Sequence, residues 1–303
     1  MITIGHLTRR YWNITADDSL SVDVGPGRVT GFLGPNGAGK TTTLRMLLGL
    51  TAPTSGTATI NGVRYRDLPN PMRSVGAALE ADCFHPGRSG AEHLRTVATM
   101  AGISRSRVAE VLDLVGLADD GHRRVGTYSL GMRQRLTLAT ALLGDPSVLI
   151  LDEPLNGLDP DGIRWMRDLL RQLAAEGRTV LVSSHLLAEA AQTVDDVVVI
   201  SHGRLAAEGP VAELTAATST TRIRTPDTEL LMSALARQQI TARLVAPGTV
   251  EVRGADPDRV ARSAAAASVI VLELTRHTEN LEELFFDLTS DRANDHVMEA
   301  SSS

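Results

Sequence analysis

The sequence predicts an α/β fold with a mostly parallel sheet, an inserted helical region and a small α+β domain in the C-terminal part of the chain. Three observations predict it. A short apolar run at residues 29–33 precedes a glycine-rich turn and a helical pattern at residues 42–49. Strand and helix patterns alternate from residue 147 to about 217, which is typical of a parallel sheet. Between them, at about 80–145, apolar residues recur at the three-to-four spacing of helices.

Length and composition limit the class of protein. The chain of 303 residues is long enough for one domain of about 200 residues and a smaller one. Its net charge of −6 argues against a nucleic-acid surface, which needs clustered basic side chains. The single cysteine, Cys83, can form no internal disulfide and fits a reducing compartment. No signal-peptide pattern begins the sequence and no stretch approaches 18 apolar residues, so we expect a soluble protein.

The glycine-rich turn carries a phosphate-binding pattern. Gly34, four residues, Gly39, Lys40 and Thr41 have the spacing G-x-x-x-x-G-K-[ST]. Glycines let successive backbone N–H groups point at one anion, and the helix that follows adds its positive end. Lys40 is the only lysine although lysine and arginine together number 30; its flexible ammonium suits this cradle better than a planar guanidinium. We therefore predict a P-loop NTPase core whose nucleotide contacts are Gly34, Pro35, Asn36, Gly37, Ala38, Gly39, Lys40, Thr41 and Thr42, with the Thr41 hydroxyl also a ligand for Mg²⁺.

A second motif follows a buried strand at residues 147–151. Asp152 and Glu153 stand where that strand ends, and open α/β sheets bind ligands at this edge. One carboxylate can hold Mg²⁺ through water, and the next can polarise the water that attacks a γ-phosphate. We assign Asp152 to the metal and Glu153 to catalysis; the alternative is a solvated loop after a strand.

The third motif is YSLGMRQR at residues 128–135. Ser129 is a credible N-cap for the helix that follows, and a helix N-terminus favours an anion. Taken alone, the segment favours a capped helix that binds nothing over an anion site.

Together the three motifs resemble those of the nucleotide-binding subunit of an ATP-binding cassette (ABC) transporter, over residues 1 to about 217. The family motif Leu-Ser-Gly-Gly-Gln-x-Gln-Arg is matched at four positions and departs at three. The matches are Ser129, Gly131, Gln134 and Arg135; the departures are Tyr128, Leu130 and Met132. The resemblance implies a two-fold dimer in which Ser129 and Gly131 of one chain reach the γ-phosphate held by the other.

Further roles are implied by the same resemblance. Asp159, in NGLD, belongs to the loop through which two cassettes contact each other, and His185 contacts the γ-phosphate. Tyr11 corresponds to the aromatic residue that stacks on adenine. The adjacent Trp12 could serve instead, and core packing of either ring is the alternative.

Glu80 is the most consequential departure. Most family members have glutamine at this strand end. There it touches Mg²⁺ and the attacking water, and it responds to the movement of the transmembrane partner. A carboxylate still offers an oxygen to Mg²⁺ but adds negative charge beside the triphosphate. A branch of peptide-antibiotic export and immunity cassettes has a similar glutamate, so we expect an active site; a solvated surface charge is the alternative.

Beyond the cassette, residues 218–289 form the predicted α+β domain. Their patterns give strand, helix, strand, strand, helix and strand, with the last strand within residues 269–275, which is the split βαβ order. Residues 280–288 predict an amphipathic helix that packs on its own domain or contacts a partner, and resemble a C-terminal segment of drug- and antibiotic-exporting cassettes. Residues 290–303 predict a disordered tail.

These observations predict an ATPase subunit that uses ATP and Mg²⁺. The resemblance implies a homodimer on the cytoplasmic face of the membrane, driving a separate permease that exports a drug, antibiotic or lipid-like compound. We expect no nucleic-acid partner and no membrane insertion. The alternative is a soluble ABC-type ATPase of repair or translation. That class usually has two cassettes, a coiled-coil insertion or basic extensions, none of which the sequence contains.

Overall fold

The computed structural model describes residues 1–12, 14–79, 84–185, 192–217 and 220–277. The chain divides into two compact units, Met1–Glu208 and a second that starts at Gly209, whereas the sequence places the division at about 217. Glu80 and Cys83 lie outside the described residues, as do the segments 280–288 and 290–303.

Nine described strands and six described α-helices begin within the first unit, and only the last strand extends two residues beyond it. The strands are β1 Ile2–Tyr11, β2 Ile14–Val24, β3 Val29–Leu33, β4 Ser55–Ile60, β5 Val75–Ala78, β6 Val148–Asp152, β7 Thr179–Ser184, β8 Asp196–Ser201 and β9 Arg204–Pro210. The helices are α1 Lys40–Leu47, α2 Pro71–Ser74, α3 Gly90–Met100, α4 Ser106–Leu114, α5 Leu130–Leu142 and α6 Pro160–Ala175.

Two sheets form the first unit. The larger sheet has the strand order β5-β6-β7-β3-β8-β9. Its first five strands in this order are parallel to one another, which confirms the predicted α/β class. The smaller is antiparallel, in the order β2-β1-β4. All five residues of β3 are buried between β7 and β8. The carboxyl ends of β3, β6 and β7 therefore meet at one edge of the sheet.

The inserted region is helical, as predicted. Helix α3 begins with a capping box in which Ser89 and Glu92 satisfy each other's backbone N–H groups. Leu94, Val111 and Leu136, one from each of α3, α4 and α5, have no exposed surface. Helix α4 ends at Leu114, and Gly116 just beyond it adopts a φ of 68° that closes the helix.

The second unit has the predicted order of elements. It contains α7 Val211–Ala217, β10 Thr220–Arg224, α8 Thr228–Arg237, β11 Ala242–Ala246, β12 Thr249–Arg253, α9 Pro257–Ala266 and β13 Glu273–His277. The antiparallel sheet has the order β11-β12-β10-β13. Its core includes residues without exposed surface from two strands and both larger helices: Ile223, Leu231, Leu235, Val250, Val252 and Val260.

The last strand differs from the predicted one. The apolar run at residues 269–275 predicts a strand there, but pairing with β10 begins only at Glu273, opposite Arg224. Val269 instead closes α9 through a hydrogen bond from its N–H to the carbonyl of Ala264, at 3.0 Å. The residues that follow connect the two elements, and Ile270 is 59% exposed.

Candidate functional site

The phosphate-loop segment joins β3 to α1, and its backbone requires glycine. Gly39 caps α1 with a φ of 107°. A Cβ atom at Gly39 would lie 2.6 Å from both the carbonyl oxygen of Ala16 and Oδ1 of Asp17. At Gly34 it would lie 2.6 Å from the carbonyl oxygen of Ile200. The two glycines of the pattern are therefore fixed by close packing under the loop.

Lys40 is held inside this loop. Its side chain is 7% exposed, and Nζ donates to the carbonyl oxygens of Gly34 at 2.7 Å and Pro35 at 3.3 Å. Nζ is also 3.9 Å from Oε1 of Glu153. Burial lowers the pKa of Lys40, while the charges of Glu153 and Asp152 act in the opposite direction. The structure thus brings the lysine of the first motif to the carboxylates of the second.

Asp152 and Thr41 present oxygen atoms to the same point. Thr41 Oγ1 donates to Asp152 Oδ2 at 2.9 Å. On the neighbouring strand, Ser183 Oγ donates to Asp152 Oδ1 and accepts from the backbone N–H of Glu153, the latter at 3.0 Å. A hydroxyl and a carboxylate are the hard ligands that Mg²⁺ prefers, so the donor set fits this ion. Sequence reasoning missed Ser183, although strand pairing puts it opposite Asp152.

Glu153 has an unusual backbone conformation. Its φ is 49°, in the left-handed region, which costs a residue with a Cβ atom about 1–3 kcal/mol. Its Oε1 is 2.9 Å from Nδ1 of His185, which follows β7. The carboxylate can therefore accept a hydrogen bond from the imidazole when Nδ1 is protonated. The structure brings together the two residues predicted to act in catalysis.

Ser129 and Asp159 both cap helices. The Ser129 side chain accepts from the backbone N–H of Met132 at 3.2 Å at the start of α5, and the residue is exposed. Asp159 Oδ1 accepts from the N–H of Gly162 at 2.8 Å at the start of α6. Both N-termini thus open toward the surface, as a contact with a second chain would require.

Leu130 and Gly131 pack against the Asn156–Asp159 loop. A Cβ atom at Gly157 would lie 2.0 Å from Cδ2 of Leu130, and one at Gly131 would lie 3.5 Å from Cδ2 of Leu158. Leu130, a departure from the family motif, therefore fits against a glycine of the neighbouring loop. The two motifs form one contiguous surface.

Comparison with known proteins agrees with this geometry. The family model described as ABC transporter matches residues 18–156. The bacitracin transport ATP-binding protein BcrA of Bacillus licheniformis is 45% identical over 211 residues, 69% of each chain. The daunorubicin/doxorubicin resistance ATP-binding protein DrrA of Streptomyces peucetius is 35% identical over 308 aligned positions, 97% of this chain and 93% of its own. The chain belongs to the ATP-binding proteins of ABC transporters.

A solved structure places this ABC ATPase in the same fold. The ATP-binding subunit of an ABC transporter superposes with a TM-score of 0.64 at 29% identity, covering 71% of this chain and 91% of that one. A second family model, a domain of unknown function, matches residues 219–282. In the described part of the chain, no helix combines the length and apolar composition needed to cross a bilayer.

The two aromatic candidates for adenine stacking in this ABC ATPase lie on the surface. Tyr11 ends β1 and is 38% exposed, with the guanidinium of Arg9 4.2 Å above its ring. Trp12 is fully exposed. Core packing, the alternative considered from the sequence, is therefore wrong for both rings, and stacking by either one stays a prediction.

Asp17 is a site residue that sequence reasoning missed. It is fully buried under the loop, and Oδ1 accepts from the Thr43 hydroxyl at 2.7 Å. Its Oδ2 is buried and has no hydrogen-bond partner among the described residues. Burial raises the pKa of Asp17 to about 6, while the bond from Thr43 lowers it. In the alternation of Leu20, Val22 and Val24, the even-numbered residues of β2 face inward, so regular alternation would make residue 17 face outward. A register shift in the pairing of β2 with β1 turns Asp17 inward instead.

Replacing Asp17 should change how stability depends on pH. Because burial raises the pKa of Asp17 from 3.8 to about 6, its ionised form destabilises the fold near pH 7, and this penalty diminishes as the pH falls. Relative to Asp17→Asn, which cannot titrate, the parent should gain about 1 kcal/mol between pH 7 and pH 5. Urea unfolding of both proteins at both pH values measures this gain. Equal changes in the free energy of unfolding of the two proteins between pH 7 and pH 5 would contradict the expectation.

Proposed function

We propose that this ABC ATPase works as a homodimer on the cytoplasmic face of the membrane and drives a separate permease that exports a drug, an antibiotic or a lipid-like compound. The observation that carries the proposal is the similarity to the Streptomyces peucetius drug-resistance protein, which extends over both units of the chain. The relationship to the bacitracin transport protein supports the same class of cargo.

The site supports hydrolysis of ATP by an in-line attack of water. The backbone N–H groups of residues 34–42, apart from Pro35, which has none, and the Lys40 ammonium bind the phosphates. Thr41 and Asp152 would hold Mg²⁺, with Glu80 as the further oxygen ligand that the family resemblance implies. When bound, the ion would neutralise phosphate charge. Glu153 orients the attacking water and accepts its proton, and His185 keeps the carboxylate in place and faces the γ-phosphate.

The proposed dimer completes each site with residues of the second chain. Ser129 and Asp159 are exposed at the N-termini of α5 and α6, where a helix end favours an anion. A two-fold pair would present Ser129 and Gly131 of each chain to the nucleotide of the other, which gives two equivalent sites at one interface.

A groove in the first unit is suited to the permease. It has a volume of about 490 Å³ and is lined mainly by apolar side chains, among them Leu50, Leu79, Phe84 and Val97. Leu50 is 67% exposed. Leu79 directly precedes Glu80, the residue that the family resemblance links to movement of the transmembrane partner. We assign the permease contact to this groove.

One experiment tests the proposal as a whole. The chain is co-expressed with a candidate permease, a separate protein with several predicted membrane-spanning helices, and the purified complex is assayed for ATP hydrolysis with and without candidate cargo. We expect co-purification and cargo-stimulated turnover. A chain that hydrolyses ATP without binding any membrane partner would contradict the proposal.

A variant of the same complex tests the dimer. Ser129→Arg should leave ATP binding and co-purification intact but reduce turnover at least about 100-fold, because the arginine occupies the space needed by the other chain's nucleotide. Ser104→Arg, at an exposed serine of the same helical region, is the matched control and should behave like the parent. Full turnover by the Ser129 variant, or by a strictly monomeric preparation, would overturn the dimer.

A further inference from the structure

Gln134 makes an unexpected contact from helix α5. It lies five residues after the cap residue Ser129, and only 7% of its surface is exposed. Its Nε2 donates to the backbone carbonyl of Pro154 at 3.0 Å and to that of Glu153 at 3.3 Å. Its Oε1 is buried without a hydrogen-bond partner in the described part of the chain. The amide therefore directs its donors at the peptide groups that follow the catalytic carboxylate.

The backbone that Gln134 contacts needs external support. Glu153 has a φ of 49°, a conformation that its Cβ atom disfavours. Its N–H donates to Ser183 Oγ at 3.0 Å, and its carbonyl also accepts from the N–H of Asn156 at 3.2 Å. Ser183 and Gln134 thus hold Glu153 from opposite ends of the residue. This backbone conformation sets the direction in which the Glu153 side chain leaves the main chain, and so the region that its carboxylate can reach.

We infer that Gln134 is a positioning residue for hydrolysis, which fixes the Glu153 carboxylate in its working direction through the Glu153 and Pro154 carbonyls. The inference rests on the catalytic role proposed for Glu153. Ser129 caps the same helix, so α5 connects the surface proposed to meet the second chain's nucleotide with the catalytic carboxylate of its own chain.

The test removes the amide donors and keeps the length of the side chain. In the full-length protein, Gln134→Met should lower kcat for ATP about 10- to 100-fold, because a misdirected base loses its alignment with the attacking water. The KM for ATP should stay within about twofold, since no nucleotide contact is removed. Gln172→Met, the same exchange at an exposed position of α6, is the matched control and should keep the parental kcat.

A double-mutant cycle separates positioning from a general loss of stability. In single-turnover assays of Glu153→Gln, adding Gln134→Met should cause no further loss, because the carboxylate that Gln134 orients is already gone. A merely structural role would lower the rate by the same factor in both backgrounds and would overturn the inference. Should Gln134→Met fail to fold, Gln134→Asn, whose amide is one methylene too short to reach the carbonyls, has the same expected results.

The two proposals fail in different ways. A parental kcat for Gln134→Met together with a strong loss in Glu153→Gln would overturn the positioning role alone. A parental rate for Glu153→Gln would overturn the catalytic assignment on which that role depends.

Discussion

Glu153→Gln is expected to slow ATP hydrolysis at least about 100-fold while ATP still binds. Glutamine keeps the size of the side chain but cannot accept the proton of the attacking water. The phosphate loop and Lys40 are unchanged, so the affinity for ATP should remain near the parental value. With hydrolysis blocked, an ATP-bound dimer should accumulate, which size-exclusion chromatography in the presence of ATP detects.

The control for this experiment is Glu110→Gln, which removes a carboxylate from an exposed position on α4. Glu110 forms a surface ion pair with Arg107 at 3.0 Å, and such pairs contribute little to stability. Its turnover should match that of the parent. Parental turnover in Glu153→Gln itself would mean that another residue acts as the base.

Lys40→Arg is expected to lower the affinity for ATP at least about tenfold, or about 1.4 kcal/mol, and to abolish most turnover. The Lys40 side chain is 7% exposed, and its ammonium lies between the carbonyl of Gly34 and the carboxylate of Glu153. A guanidinium is wider and planar, and it spreads its donors in a fixed fork. The space inside the loop therefore excludes arginine, although arginine is the basic residue, Lys or Arg, at every other such position of this chain.

Lys40→Met provides the comparison, because it retains the length of the side chain and removes its charge. We expect Lys40→Arg to resemble Lys40→Met rather than the parent when ATP binding and turnover are measured side by side. An arginine variant with near-parental binding and turnover would show that only the positive charge matters at this position.

The sequence by itself predicted the parts of the molecule that depend on neighbouring residues in the chain. The spacing of Gly34, Gly39 and Lys40 predicts the loop because its anion cradle consists of consecutive backbone groups. The apolar run ending at Asp152 and Glu153 predicts a buried strand with its carboxylates at the sheet edge. The order of strands and helices in residues 220–277 also follows from local patterns, and the antiparallel sheet order agrees with it.

Tertiary structure alone decided which distant residues complete the site. Ser183 reaches Asp152 only because β6 and β7 are adjacent and in that register. Asp17 turns under the loop because a register shift changes which side chains of β2 point inward. Gln134 supports Glu153 because α5 packs beside the end of β6. Each contact depends on strand order, register or helix packing, which are set by the burial of the whole core rather than by any local pattern.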